Sequence, residues 1–137
     1  MGLRRYEDFI AWQLSRELER RVFEFTATVP ALKDVDYCRQ VRLSSASAAR
    51  NLSEGFGRFL PADFARFARI TIGSLHETRD HLDAGLERGY LSKPLHDELT
   101  VLANRAIGAS VRLVRYLDTC ASPLVLGMVK QRRRRRS

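Results

Sequence analysis

Apolar side chains recur every three or four positions along most of this sequence, and that spacing predicts α-helices rather than strands. The first stripe consists of Ile10, Leu14, Leu18, Val22, Phe25 and Val29. Pro30 then interrupts the pattern, because proline disfavours helical geometry in the residue before it. We therefore expect a first helix over about residues 7–29.

The second helical pattern, over about residues 36–56, has unusually small side chains in its middle. Its inward positions are Val41, Ser45, Ala48, Leu52 and Phe56. Residues 44–49 read Ser-Ser-Ala-Ser-Ala-Ala, and small side chains let neighbouring helix backbones approach closely. We predict the tightest helix contact of the fold along this run, with Gly73 and Ser74 of the third helix facing it.

The stretch Asn51-Leu52-Ser53-Glu54-Gly55-Phe56-Gly57-Arg58 joins the second helix to the third. Glycine readily adopts the left-handed conformation found at many helix C-termini, so Gly55 and Gly57 are interpreted as the residues that end the helix. Asn51 and Glu54 are interpreted as groups that hold the helices together through hydrogen bonds, with a ligand site as the alternative.

Two further helices follow, over about residues 62–88 and 93–121, and the second of these has a regular heptad spacing. The seam of this fourth helix consists of Leu95, Leu99, Leu102, Ala106, Ala109, Leu113 and Tyr116. Four helices with short connections predict an all-α, antiparallel up-down-up-down four-helix bundle over residues 1–122. Cys38 and Cys120 then lie at opposite ends and cannot form a disulfide within one subunit.

The formal charge of +8 is concentrated in a tail beyond the bundle. Six of these charges belong to Lys130, Arg132, Arg133, Arg134, Arg135 and Arg136. We predict that residues 123–137 form an apolar segment followed by a disordered arm, which becomes ordered on a polyanion by releasing counterions. A merely solvated tail is the alternative. Because the topology would place Arg4, Arg5 and Arg58 at the same end, they complete the predicted nucleic-acid-binding set.

Catalytic machinery is not visible in the sequence. His76 and Asp80, and likewise Glu77 and His81, are four residues apart, but the Glu-x-x-His motif of dinuclear metal bundles does not occur. We interpret these four residues as a polar helix flank and predict neither a metal, nor a cofactor, nor an enzyme. Without a long apolar run or a signal-like N-terminus, the expected location is cytoplasmic, with no membrane span.

Five stretches resemble the S23 family, which comprises bacterial four-helix-bundle proteins encoded within intervening sequences of 23S rRNA genes. They are residues 9–13, 39–42, 51–58, 64–67 and 72–77. The resemblance implies a ring-like homopentamer without catalytic residues. A related protein, the accessory variability determinant of diversity-generating retroelements, binds nucleic acid and a reverse transcriptase.

These observations lead to two hypotheses of function. The first is a non-enzymatic oligomer that binds nucleic acid, RNA rather than DNA by preference, through basic surface and the arginine tail. The alternative is an interaction scaffold for a dedicated protein partner such as a reverse transcriptase. Trp12, Phe23, Phe59 and residues 124–129 are candidate interface residues, because exposed apolar side chains favour association.

Overall fold

Four helices make up most of the protein in the computed structural model, which describes residues 9–120. Helix α1 spans Ile10–Thr26, α2 spans Val35–Phe56, α3 spans Pro61–Glu87 and α4 spans Lys93–Cys120, with a short 3-10 turn at Ala31–Lys33. No strand occurs within this range. The all-α prediction is confirmed. Each helix packs mainly against two neighbours, α1 on α2 and α4, and α3 on α2 and α4.

Helix α1 ends three residues earlier than predicted. The Ala27 amide donates to the Glu24 carbonyl at 3.3 Å, and the Thr28 hydroxyl donates to the Phe25 carbonyl at 3.2 Å. These bonds close the last turn before the chain reaches Pro30, and Val29 is exposed there rather than part of the core.

The core consists of two clusters, one toward each end of the bundle. At the first end, residues from the start of α1, the end of α2, the start of α3 and the end of α4 meet: Ala11, Leu52, Phe64, Ala65, Ala68, Ala109, Leu113, Val114 and Leu117. We call this the Arg58 end. The other cluster surrounds Cys38, and we call that the Cys38 end. Cys38 and Cys120 are both free, at opposite ends of the molecule.

The buried face of α4 is wider than the predicted heptad seam. Tyr116 is 65% exposed, whereas Ala103, Ser110 and Leu117 are buried. The prediction that Tyr116 belongs to the buried face was wrong. Helix α4 packs against both α1 and α3, and two neighbours require a broader apolar face than a coiled-coil pair does. Ile10 of α1 is likewise exposed.

Hydroxyl groups connect α2 to α3 along the small-residue run. Ser44 and Thr78 share a hydrogen bond of 2.8 Å, and the Thr71 hydroxyl donates to the Ala48 carbonyl at 2.8 Å. The contact between these two helices is the most extensive in the bundle. The prediction for Gly73 was wrong, since this residue is exposed and a Cβ there would meet no heavy atom within 4 Å beyond the local backbone of its own helix. Consecutive helix positions point about 100° apart, so Gly73 turns outward while its neighbour turns inward.

Candidate nucleic-acid interface

The connection between α2 and α3 is organised by close packing rather than by left-handed glycines. Gly57 has φ −73°, and within residues 9–120 only Gly89 has a positive φ. Gly55 lies inside α2 and is buried. A Cβ there would stand 2.8 Å from Phe64 Cδ1 and 2.9 Å from Phe67 Cβ. The left-handed prediction was therefore wrong, and Gly55 instead allows α3 to approach α2.

The end of α2 follows from a tightened last turn and from the proline beyond it. The Gly57 amide donates to the Glu54 carbonyl at 3.1 Å, and the Arg58 amide donates to the Gly55 carbonyl at 3.0 Å. Helix α3 then begins at Pro61 without a side-chain cap. Proline fits a first helical turn because its nitrogen has no hydrogen to leave unpaired.

Asn51 connects to α3 through one intermediate serine. Its side-chain amide donates to the Ser47 carbonyl at 2.8 Å and to the Ser47 hydroxyl at 2.9 Å, and that hydroxyl shares a 2.9 Å hydrogen bond with Ser74. Ser74 is buried, whereas the side chain of Glu54 is exposed on the last turn of α2. The Asn51 amide is therefore engaged inside the bundle.

Two arginines stand over one aromatic ring at the Arg58 end. The guanidinium carbons of Arg58 and Arg66 lie 5.0 Å and 4.8 Å from the centre of the Phe67 ring. Both arginines are exposed, and no carboxylate among residues 9–120 forms an ion pair with either. Each cation–π contact contributes about 0.5–1 kcal/mol at an exposed site. The ring therefore holds two exposed positive charges that no acid of the described residues pairs with.

The aromatic side chains of this end divide into a packed group and a single exposed ring. Phe9, Phe56 and Phe64 pack edge to face, with ring centres 5.5–6.3 Å apart. Phe59, in the connection between the helices, is fully exposed, and Leu60 beside it is 59% exposed. The packed group fixes the base of the connection, so Phe59 projects from a well-supported position.

Carboxylates near the Arg58 end are few. Asp63 lies in the first turn of α3 and is half-buried, and Asp118 of α4 is occupied by Arg69, with a nitrogen–oxygen distance of 2.6 Å. Among residues 9–120, these two and Glu54 are the acids at the end of the bundle that carries Arg58 and Arg66.

The structure describes only part of the predicted nucleic-acid-binding set. Arg4, Arg5, Lys130 and Arg132 to Arg136 lie outside the described residues, as does the apolar segment 124–129. Helix α4 ends at Cys120 at the Arg58 end, so the tail follows from there. Sequence reasoning missed Arg66, because an arginine on the outer face of a helix carries no signal until the fold places it beside Arg58.

Two of the candidate interface residues are engaged in contacts within their own subunit. Trp12 is only partly exposed, and its indole N–H donates to the Ser53 hydroxyl at 3.1 Å. Phe23 is 44% exposed beneath the Arg42 guanidinium, whose carbon lies 5.3 Å from the ring centre.

The histidine-containing flank of α3 makes local contacts. His76 lies 2.8 Å from an Arg79 nitrogen, and His81 Nε2 lies 3.6 Å from a Glu77 oxygen, while Asp80 is exposed. Across residues 9–120, no group of three or more potential ligands is arranged to hold a metal ion. Nor is any helix in that range long and apolar enough to cross a membrane.

A carboxylate network stabilises the opposite, Cys38 end. Asp34 accepts hydrogen bonds from the Tyr90 hydroxyl at 2.5 Å and from the Tyr37 amide at 3.1 Å, and Arg88 lies 3.6 Å away. The Tyr90 hydroxyl, then the Tyr37 amide and the Arg88 charge, hold the pKa of Asp34 below its ordinary value. The Tyr37 hydroxyl donates to the His81 carbonyl at 2.7 Å, and burial raises the pKa of that tyrosine.

The geometry defines an antiparallel four-helix bundle that presents a cationic and aromatic surface at one end. The chain belongs to the 23S rRNA-intervening sequence protein family, whose model matches residues 7–109. This confirms the family that the sequence motifs indicated.

Among solved structures, the chain is similar to a protein of unknown function from the S23 ribosomal protein family of Bacteroides thetaiotaomicron. The TM-score is 0.72 at 17% identity, over 80% of this chain and 98% of that one. At this identity the similarity shows the fold. No curated protein matches the sequence significantly.

Proposed function

We propose that this protein is a non-enzymatic, cytoplasmic homo-oligomer that binds nucleic acid, with RNA as the preferred ligand. The observation that carries the proposal is the pair of exposed guanidiniums on Phe67, which form no ion pair within residues 9–120 and lie at the end of the bundle where α4 ends. On this proposal, the tail that follows α4 in the sequence adds its positive charge to that of Arg58 and Arg66.

The charges set the expected salt dependence of binding. The tail supplies six cations, and Arg58 and Arg66 supply two more. If all of them contact phosphates of a single strand, the slope of log K against log salt concentration is up to roughly −5 to −6, at about −0.7 per contact. A slope of this size is steep enough to measure over a narrow salt range.

Oligomerisation would strengthen this binding by presenting several tails on one strand. Supporting contacts are available on the α1 and α4 faces, where Ile10, Val101 and Tyr116 are 62%, 58% and 65% exposed. Apolar side chains exposed on one side of a small body favour association. The pentamer is the number that the family resemblance implies.

A groove between α1 and α4 favours a second candidate, a scaffold for a protein partner such as a reverse transcriptase. This groove has a volume of about 550 Å³, and its lining includes Ile10, Leu14, Val101, Arg105 and Arg112. An apolar floor with basic edges suits an amphipathic, acidic helix. The scaffold would give weak RNA binding and a protein partner in affinity purification.

The proposal is tested by fluorescence anisotropy with a labelled single-stranded RNA across a range of salt concentrations. We expect deletion of residues 130–137 to reduce affinity and flatten the salt slope, and Arg66→Gln to reduce the magnitude of the slope by about 0.7. Replacing Lys130 and the five arginines by glutamine separates the effect of charge from that of length. Arg39→Gln, an exposed arginine of the Cys38 end paired with Asp36 at 3.6 Å, is the matched control.

Unchanged affinity and slope in the deletion variant would show that the tail is not the binding element. Size-exclusion chromatography with light scattering, with and without RNA, checks the oligomer. A monomer that is indifferent to RNA would refute the nucleic-acid-binding oligomer, and the absence of a protein partner in affinity purification would refute the scaffold.

A further inference from the structure

The ring of Phe59 is fully exposed and belongs to neither core cluster of the described residues. The positive charges at this end of the bundle indicate which kind of ligand it contacts. We infer that Phe59 is a stacking platform for an unpaired nucleobase, so that the Arg58 end prefers single-stranded to double-stranded nucleic acid. This inference rests on the proposed function. It adds that Phe59 contacts a base of the nucleic acid, whereas the arginines contact its phosphates.

The first step is the contrast between Phe59 and its aromatic neighbours. Phe9, Phe56 and Phe64 lie within 5.5–6.3 Å of one another, centre to centre, and two of them flank the connection in which Phe59 stands. Phe59 itself is fully exposed. Its ring therefore leaves a face open to a planar ligand, and the packed rings support the chain on either side.

The second step is the charge around this ring. Arg58 is its immediate neighbour, with Cα atoms about 3.8 Å apart, and the Arg58 and Arg66 guanidiniums both stand over Phe67. Single-stranded nucleic acids are bound by this combination, a cationic surface for the phosphates and an aromatic side chain for the base. A duplex offers phosphates but keeps its bases stacked on one another, so it can use the arginines and not Phe59.

The third step concerns the competing occupant, a second copy of this chain. In an isologous contact, each residue of the patch meets the same patch on the partner. Arg58 and Arg66 would then face their own copies without a carboxylate partner among residues 9–120, and like-charge repulsion disfavours such an isologous contact. The contacts of a ring-shaped oligomer are heterologous, and the oligomer mass of Phe59→Ala tests that case. An anionic ligand satisfies both the ring and the charges, so the charges favour nucleic acid.

The experiment compares the wild-type protein with Phe59 variants, using labelled oligouridylate of about 12 nucleotides, an RNA duplex of equal length and an abasic strand. We expect Phe59→Ala and Phe59→Leu to weaken binding of the single strand by about 5- to 150-fold, the range for loss of one base stack. The salt slope, duplex affinity and abasic-strand affinity should stay unchanged. Phe59→Trp should retain affinity. Leu32→Ala, which removes an exposed apolar side chain at the Cys38 end, is the control.

The outcomes separate this inference from the proposed function. If wild type binds the single strand and Phe59→Ala binds it equally well, the stacking role is overturned and the proposed function stands. An equal loss on single strand and duplex, or a change of oligomer mass in Phe59→Ala by light scattering, also overturns it, because Phe59 would then serve general binding or a subunit interface. If wild type binds no RNA, the proposed function fails and the inference fails with it.

Discussion

Replacing Gly55 by alanine distinguishes a glycine needed for close packing from one needed for a left-handed cap. Gly55 and Gly57 are two residues apart in the same turn, and the same substitution should have opposite effects at the two positions. If both glycines served as left-handed caps, alanine would destabilise the protein at both positions, because a positive φ strains an L side chain. The effect at Gly57 therefore separates the two explanations.

The magnitude follows from the neighbours of the added methyl group. At Gly55 it would stand 2.8 Å from Phe64 Cδ1 and 2.9 Å from Phe67 Cβ, roughly 0.7 Å inside normal carbon contact. Overpacking of this kind costs about 1–3 kcal/mol, and the better helix propensity of alanine returns about 1 kcal/mol. Because Phe67 Cβ is attached directly to the α3 backbone and cannot rotate away, we expect a net loss of about 1–2 kcal/mol.

At Gly57 the same methyl group is tolerated. The nearest heavy atom is the Glu54 carbonyl oxygen at 3.4 Å, and φ is −73°, which alanine adopts readily. We expect Gly57→Ala to stabilise the protein by about 0.4–1 kcal/mol, because alanine restricts the unfolded chain. The two variants should then differ by roughly 2 kcal/mol.

The free energy of unfolding is measured by urea denaturation, monitored by circular dichroism and by the fluorescence of Trp12, the single tryptophan. Trp12 reports on the same end of the bundle through its 3.1 Å hydrogen bond to Ser53. Protein concentration is held constant, because oligomerisation would shift the apparent stability. If Gly55→Ala matches or exceeds the wild type in stability while Gly57→Ala loses about 1 kcal/mol, the packing argument is refuted.

Two further predictions concern the rest of the bundle. Gly85→Ala should destabilise by about 1–3 kcal/mol, since its Cβ would overlap the Tyr37 hydroxyl. In the same helix, Gly73→Ala should stabilise the protein by about 0.5–1 kcal/mol. The urea midpoint should therefore fall for Gly85→Ala and rise for Gly73→Ala, and a shift in the same direction for the two variants would contradict the prediction. The lowered pKa of Asp34 contributes stability that is present above the ordinary aspartate pKa and is lost as the pH falls below it. Asp34→Asn keeps the helix cap and should flatten the acid side of a profile of unfolding free energy against pH. Tyr90→Phe should have the same effect. An unchanged profile would show that the Asp34 carboxylate does not contribute to the pH dependence of stability.

The candidate site could be predicted from sequence only in part. Arg58 was identified because it closes a recognisable helix-end stretch, and the tail because its charge is visible in the composition. Arg66 was not identified, since its role depends on a shared contact with Phe67. Its distance from Arg58 is set by how closely α3 packs on α2.

The sequence by itself determined the number, order and approximate bounds of the helices, because apolar periodicity and proline positions act over a few neighbouring residues. Only the tertiary structure decided that Gly55 is a packing glycine, that Gly73 faces outward and that Tyr116 lies outside the core. These properties depend on the rotation of each helix about its axis and on its distance from two neighbours. Both are set by contacts between residues far apart in the chain, which periodicity does not encode.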